Sequence, residues 1–440
     1  MSEGVTDPRD VLRGRPMNLQ QYGVVLICVL INMIDGYDIL ALAQAGATLK
    51  GEWGMSDAVL GTLLSMSLVG MALGALGVSP VADQWGRRPA MLTCLAFMSA
   101  GMTVSALSDG FFVMAAGRLI TGIGIGGMTS TAGTMALEYA NVRWREFSTA
   151  AVASAYPVGT MLGGTVALAV LDSYGWRGIF WVGAALSATL LPIAFLWLPE
   201  SLDFLLTRQP KGALETTNKV LRRMSVPEIA TLPPRPEDSS EESNALSEIL
   251  TPVHRNELLF KLFIAHALNM FAWYFIINWA TPLVTEATGS NDAGAEFSRW
   301  MSLGGVIGGL AGGYLCGRVG VKRMMWITMV SLAVLIALFG QFTGNQQALW
   351  VIAPLMGAAL FGSAVANWLT IAYAFPPHLR ATGLGFATTA GRVGSIFGPI
   401  VGGALLDVPL TVGTVCLIMG LPAILAAMNY TRARRVEPGR

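Results

Sequence analysis

Twelve membrane-spanning helices in two six-helix bundles, related by an internal repeat, are the fold class this sequence predicts: an all-α polytopic membrane protein. Three observations carry that expectation. Of 440 residues, 53% are apolar and only 12% are charged, against roughly 25% charged in soluble domains. Apolar runs of spanning length recur in two sets of six, separated by one polar segment. Short patterns from the first set also return at matching places in the second.

The first set of runs lies at 19–47, 57–81, 90–108, 110–140, 147–171 and 176–198. The second lies at 257–285, 298–317, 324–342, 347–374, 381–406 and 410–430. Each is near or above the roughly 20 residues that cross a bilayer core. The expected organisation is a tail at 1–18, a six-helix bundle at 19–198, a linker at 199–256, a second bundle at 257–430 and a tail at 431–440.

The polar start contains Arg9, Arg13 and Arg15 and precedes an apolar run too long for a signal-peptide core. A cleavable signal is therefore not expected, and the first helix serves as its own insertion signal. With the N-terminus inside, only Lys50, Arg177 and Arg299 fall in outer loops, and Arg118 and Arg392 fall within spans. Every other one of the 28 basic residues is then cytoplasmic, as the positive-inside rule requires. Both termini and the linker are expected inside, in a bacterial inner membrane. A net charge of +1 gives no reason to expect nucleic acid as a partner.

Within the linker, the Pro- and acid-rich stretch from Thr231 to Ser243 is expected to be disordered. Its flanks, Ala213–Met224 and Asn244–Leu250, have the length of short surface helices. Cys28, Cys94, Cys316 and Cys416 stand singly in apolar runs, and His266 has no metal-ligand partner at any recognisable spacing. No disulfide, metal site or cofactor is expected. No nucleophile or metal cluster suggests an enzyme.

The repeat is visible in two places. Gly159-Thr-Met-Leu-Gly-Gly164 echoes Gly398-Pro-Ile-Val-Gly-Gly403, and Ser79–Arg88 echoes Gly313–Lys322. Two pseudo-repeated bundles with a site between them near mid-membrane is a transporter plan.

The chemistry centres on Asp35-Gly36-Tyr37-Asp38 in the first span. Intramembrane acids are costly and mark ion, proton or substrate paths, although an acid can also simply tie helices together. The two carboxylates are three residues apart and share roughly one helix side, and Gly36 admits a helix or ligand close to the backbone. Arg118 and Arg392 also lie within spans, where a cation needs an acid, a carbonyl or an anionic ligand. Two structural Asp–Arg pairs are one reading. The other offers an Arg to a substrate carboxylate through a bidentate contact while an Asp takes up a proton.

Ser79–Arg88 resembles the loop between helices two and three of the major facilitator superfamily, with Asp83, Gly86, Arg87 and Arg88 matching, Ser79 in place of Gly and Gln84 in place of Arg. An acid beside arginines there can latch the two halves, while plain positive-inside charge would need neither Asp83 nor Gly86. The acid pair joins Arg118-Leu-Ile-Thr-Gly-Ile-Gly-Ile-Gly-Gly127, Glu138-Tyr139, Pro199-Glu200-Ser201 and Leu379-Arg-Ala-Thr-Gly383. Together these resemble the aromatic acid/proton symporters of that superfamily, over about residues 19–406. The resemblance implies proton coupling at Asp35, Asp38 and Glu138, with Arg118 and Glu138 the functional charges of helix four. It implies gating at Asp83, Gly86, Arg87, Arg88 and Arg380, and Arg392 as a functional charge beside Arg380. Gly317 stands where the second copy of the loop would carry its acid, which puts conventional gating of that half in doubt.

In this superfamily helices one, seven and ten line the cavity, and Tyr37, Trp273, Tyr274, Trp279, Trp368 and Tyr373 fall there. Aromatic faces with an Arg at one end suit a benzoate-like acid, although most membrane Trp and Tyr are interfacial or packing residues. The expected function is a monomeric importer of a small aromatic or other organic carboxylate, driven by protons. A sugar porter would share Pro199-Glu200-Ser201, but His266–Pro282 lacks the Gln-Gln pair such sites use. Drug efflux is the same-fold rival, favoured weakly by the Gly394–Gly403 pattern. A transport-dead receptor is the rival from another class, with no large signalling domain to support it.

Overall fold

The structure, a computed structural model, describes residues 7–234, 260–375 and 380–432. Most of the linker, including the expected helix at 244–250, lies outside them. The side chains of Asp83, Tyr373 and Arg380 are likewise outside the described set.

Every described element is helical. After a short helix α1 (Pro8–Gly14), whose first turn Asp7 caps, come α2 (Leu19–Trp53), α3 (Asp57–Trp85), α4 (Arg87–Ala106) and α5 (Phe111–Tyr139). Next is α6 (Arg145–Trp197), followed by α7 (Leu202–Thr207) and α8 (Ala213–Arg223). The second set is α9 (Phe260–Thr288), α10 (Asn291–Val319), α11 (Val321–Phe342), α12 (Gln346–Ala374), α13 (Arg380–Leu406) and α14 (Val412–Arg432).

Ten of these helices are long and apolar enough to cross a membrane. That number counts α6 once and omits α10, whose glycines and N-terminal acids dilute its apolarity. Helix α6 is two spans in one, turned at Gly175 with φ 63° and ψ −171°. Only glycine occupies that backbone region comfortably. With α6 taken as two and α10 included, the helices match the twelve expected spans. The loop expected at 172–175 is therefore replaced by one glycine turn. Several helices also overrun their apolar runs: α2 continues to Trp53, where the expected run stops at 47.

The chain forms two compact units. The first comprises 1–36, 70–159 and 180–239, and the second 37–69, 160–179 and 240–440. In the first, α4 and α5 pack closely where Gly101 and Gly117 face each other and where Gly124 rests on the Cys94 carbonyl. This close approach substitutes for the hydrophobic effect that lipid does not supply. In the second, α9, α11, α12 and α14 share a core of Leu262, Met325, Met329, Ile371 and Phe375. All four cysteines are buried and unbridged.

Candidate functional site

Asp35 and Asp38 lie halfway along α2, 5% and 0% exposed. Gly36 between them has no room for a side chain: a Cβ would meet the carbonyl of Tyr156 on α6. One turn away, Gly159 on α6 rests on the carbonyl of Met33 in the same manner. Small residues thus press two backbones together beside Asp35 and fix it in the first unit. In the second unit, Tyr37 is fully buried and its hydroxyl donates to the carbonyl of Ile179 at 2.6 Å. Its ring is held as a packing residue.

Arg118 is 1% exposed on α5 in the first unit. Its guanidinium stands 5.8 Å from the centre of the Phe180 ring and 3.9 Å from the Met102 sulfur. Both contacts, with an aromatic face and with a thioether sulfur, are attractive to a cation.

Glu138 belongs to another cluster. At the far end of α5 it forms an ion pair with Arg87 and accepts from the Ser201 hydroxyl at 2.6 Å. It is 20 residues from Arg118, about 30 Å along a helix, and it stands with the loop residues Arg87 and Ser201. Gly86, at φ 108°, opens α4, and the Glu200 carboxylate closes over it. One Glu200 oxygen accepts from the N–H groups of Arg87 at 2.8 Å, Ser201 at 2.9 Å and Arg88 at 3.1 Å. A remote carboxylate therefore caps α4. Burial pushes the Glu200 carboxyl above its usual range, against the pull of the Arg88, Ser201 and Arg87 N–H groups. Arg88 donates to the carbonyl of Phe195 at 2.7 Å and lies over its ring. In the sequence, Glu200 carried only a family pattern. Its capping role needed the fold.

A second charged cluster, absent from the sequence expectations, ties the predicted outer ends of the second unit. Lys50 reaches Asp57 at 2.6 Å and Glu286 at 3.0 Å. Asp407 accepts from the first N–H groups of α3, those of Asp57 at 2.8 Å and Ala58 at 2.9 Å. Below them the Ser65 hydroxyl donates to the Ile396 carbonyl at 2.8 Å, and Gly61 and Gly403 sit on the backbones of Pro399 and Asp57. The Lys50 end of α2 and the Asp57 end of α3 pack against α9 and α13. The only sequence signal was position: acids at the edges of apolar runs.

The expected aromatic residues separate by role. The Trp279 indole donates to the Pro399 carbonyl at 3.0 Å and is fully buried. That of Trp273 donates to Leu360 at 3.3 Å, its ring 4.8 Å from Tyr274 and 5.6 Å from Phe361. Trp368 is 54% exposed on α12. Nearby on α9, His266 pairs with Asn367 at 2.6 Å, and the Tyr430 hydroxyl donates to the same amide. Arg392, half-buried on α13, follows Gly391, which faces the His266 ring. Two amides escaped the sequence reading: Gln44 on α2 and Asn269 on α9 are buried, with neither their nitrogen nor their oxygen hydrogen-bonded among the described residues. Being uncharged, neither stands out in an apolar run.

A family model described as "Sugar (and other) transporter" matches residues 20–426. The gallate transporter of Pseudomonas putida is 27% identical over 96% of this chain and 94% of its own length. The 4-hydroxybenzoate transporter PcaK of the same organism is 26% identical over the same shares. The benzoate transport protein of Acinetobacter baylyi is 26% identical over 94% of this chain and 91% of its own. Among solved structures, the xylose transporter XylE of E. coli, partially occluded and inward open, has a TM-score of 0.72 at 18% identity, over 93% of this chain and 97% of that one. At that identity the likeness shows the fold, the all-helical major facilitator architecture.

Proposed function

The chain belongs to the sugar (and other) transporter family, and from that we propose that it imports a small aromatic carboxylate together with protons by alternating access. The observation that carries the reading is the buried pair Asp35 and Asp38 in an apolar helix. Carboxylates this deep are retained where charge must move. Relatives named for gallate, 4-hydroxybenzoate and benzoate support the aromatic acid as cargo. Arg118 or Arg392 receives the substrate carboxylate, and Asp35 or Asp38 takes the proton. Glu138 serves the cytoplasmic latch with Asp83, Gly86, Arg87, Arg88 and Arg380. The buried amides of Gln44 and Asn269 supply hydrogen bonds to polar groups on the cargo or to its water. The bundles at 19–198 and 257–430 are the moving halves, in the inner membrane with both termini inside.

The test is uptake of labelled benzoate and 4-hydroxybenzoate into proteoliposomes with an imposed pH gradient. Asn at positions 35 and 38 is expected to abolish gradient-driven uptake while leaving counterflow partly intact. Arg→Ala at the substrate-holding position, 118 or 392, is expected to weaken binding about ten- to hundredfold, the loss of a charge-assisted contact of about 1.5–3 kcal/mol. Unchanged pH-driven uptake in the double Asn variant makes the acid pair structural and overturns the proposal.

A further inference from the structure

A cavity of about 530 Å3 lies at the predicted cytoplasmic rim of the first unit, outside the charge clusters already described. It lies where α3 and α6 end and the surface helices α7 and α8 begin, and it is lined by Trp85, Arg88, Leu196, Glu200, Lys219 and Arg223 among others.

Its two sides differ in chemistry. Helix α8 is amphipathic, with Ala213, Thr217, Val220 and Leu221 buried. Lys219 and Arg223 are four residues apart, so they point the same way. Neighbouring Arg222 is bound to Glu228 at 2.9 Å, but neither Lys219 nor Arg223 has a carboxylate partner among the described residues. The one acid in the wall, Glu200, is turned onto the N–H groups that open α4. Across from these cations, Trp85, Leu196 and Phe195 are 74%, 65% and 57% exposed at the ends of the spans. Large apolar groups left bare at that level face acyl chains.

We propose that this cavity binds the headgroup of an anionic phospholipid of the inner leaflet. The phosphodiester lies between Lys219, Arg223 and Arg88, and the acyl chains run along Leu196 and Trp85. A basic recess that opens beside exposed apolar side chains at the level of the headgroups matches both ends of such a lipid. A free anion would use only the cationic side.

The experiment uses the full-length protein in detergent, titrated with phosphatidylglycerol, phosphatidylcholine or inorganic phosphate, with bound lipid read by native mass spectrometry. Phosphatidylglycerol is expected to bind in preference to phosphatidylcholine. Each basic residue near an anionic surface contributes about fivefold, so Lys219→Gln with Arg223→Gln should weaken binding about 25-fold. Both residues are exposed, and the single variants, each expected at about fivefold, provide the reading if the double variant is poorly produced. Lys322→Gln with Arg323→Gln removes the same charge from the exposed start of α11 and is expected to change nothing. Equal binding of phosphatidylcholine, an equal loss in the control pair, or unchanged binding in the Lys219/Arg223 variants overturns the proposal. Inorganic phosphate that competes as strongly as the lipid makes the cavity a free-anion site and overturns it too.

Discussion

The two charged rims are built on opposite principles. In the first unit, Arg87 and Glu138 form a pair whose acid side chain is only 7% exposed, and Glu200 and Ser201 complete its hydrogen bonds. In the second unit, Lys50, Glu286 and Asp407 stand nearer water, with Lys50 and Glu286 26% and 37% exposed. A buried pair is costly to break one-sidedly, because the orphaned charge stays in place. An exposed pair is replaced by water at almost no cost. The first arrangement is costly to open, and the second opens at little cost.

The sharpest way to break the comparison is Glu138→Ala. It should destabilise the protein by about 1.5–3 kcal/mol, measured by unfolding in detergent, because Arg87, itself 19% exposed, loses a charge-assisted partner. Adding Arg87→Met should recover most of the loss, since a buried pair replaced by apolar groups is often neutral. Asp407→Ala should cost about 1 kcal/mol, the worth of a helix cap. That loss should appear as roughly fivefold faster labelling of a Ser65→Cys variant by an impermeant thiol reagent. Lys50→Met should cost less than about 1 kcal/mol and, unlike Glu138→Ala, should lose its effect at high salt.

The smallest effect is the pH response, and its sign differs between the rims. Partial burial draws the Asp407 carboxyl up, but hydrogen bonds from the Ala58 N–H, the Ser56 hydroxyl and the Asp57 N–H, with Lys50 nearby, hold it below its usual 3.8. Its contribution is complete above 3.8 and is lost as pH falls through the lowered value, so the stability difference between Asp407→Ala and the unaltered protein should be flat from about pH 8 to pH 5. For Glu200 the folded value is raised above 4.5 by burial. Stability should therefore fall as pH climbs from 4.5 through that raised value and stay level above it. Glu200→Gln, followed by thermal unfolding across that range, should remove the step.

Fold and site were not equally legible in the sequence. Span positions could be read because a bilayer demands long apolar runs, and α3, α5 and α12 begin and end close to theirs. The turn in α6 could not, because nothing in Tyr174-Gly175-Trp176 says that one glycine suffices where a loop is usual. The acid pair was legible because charge in an apolar helix is conspicuous. Helix face was not: α9 is apolar all round, so the sequence could not say that Trp279 turns to a carbonyl of α13. Glu138 could have been assigned by arithmetic, since its distance from Arg118 spans a whole membrane thickness. The Lys50–Glu286 and Asp407–α3 contacts join residues hundreds of positions apart, and no local pattern encodes such pairing.

The glycine turn at Gly175 leaves no slack between the two arms of α6. A flexible connection would let one arm tilt while the other stayed still. A single residue at φ 63° makes the reversal instead, so the connection is one residue long, and a side chain larger than glycine's at that position would strain it.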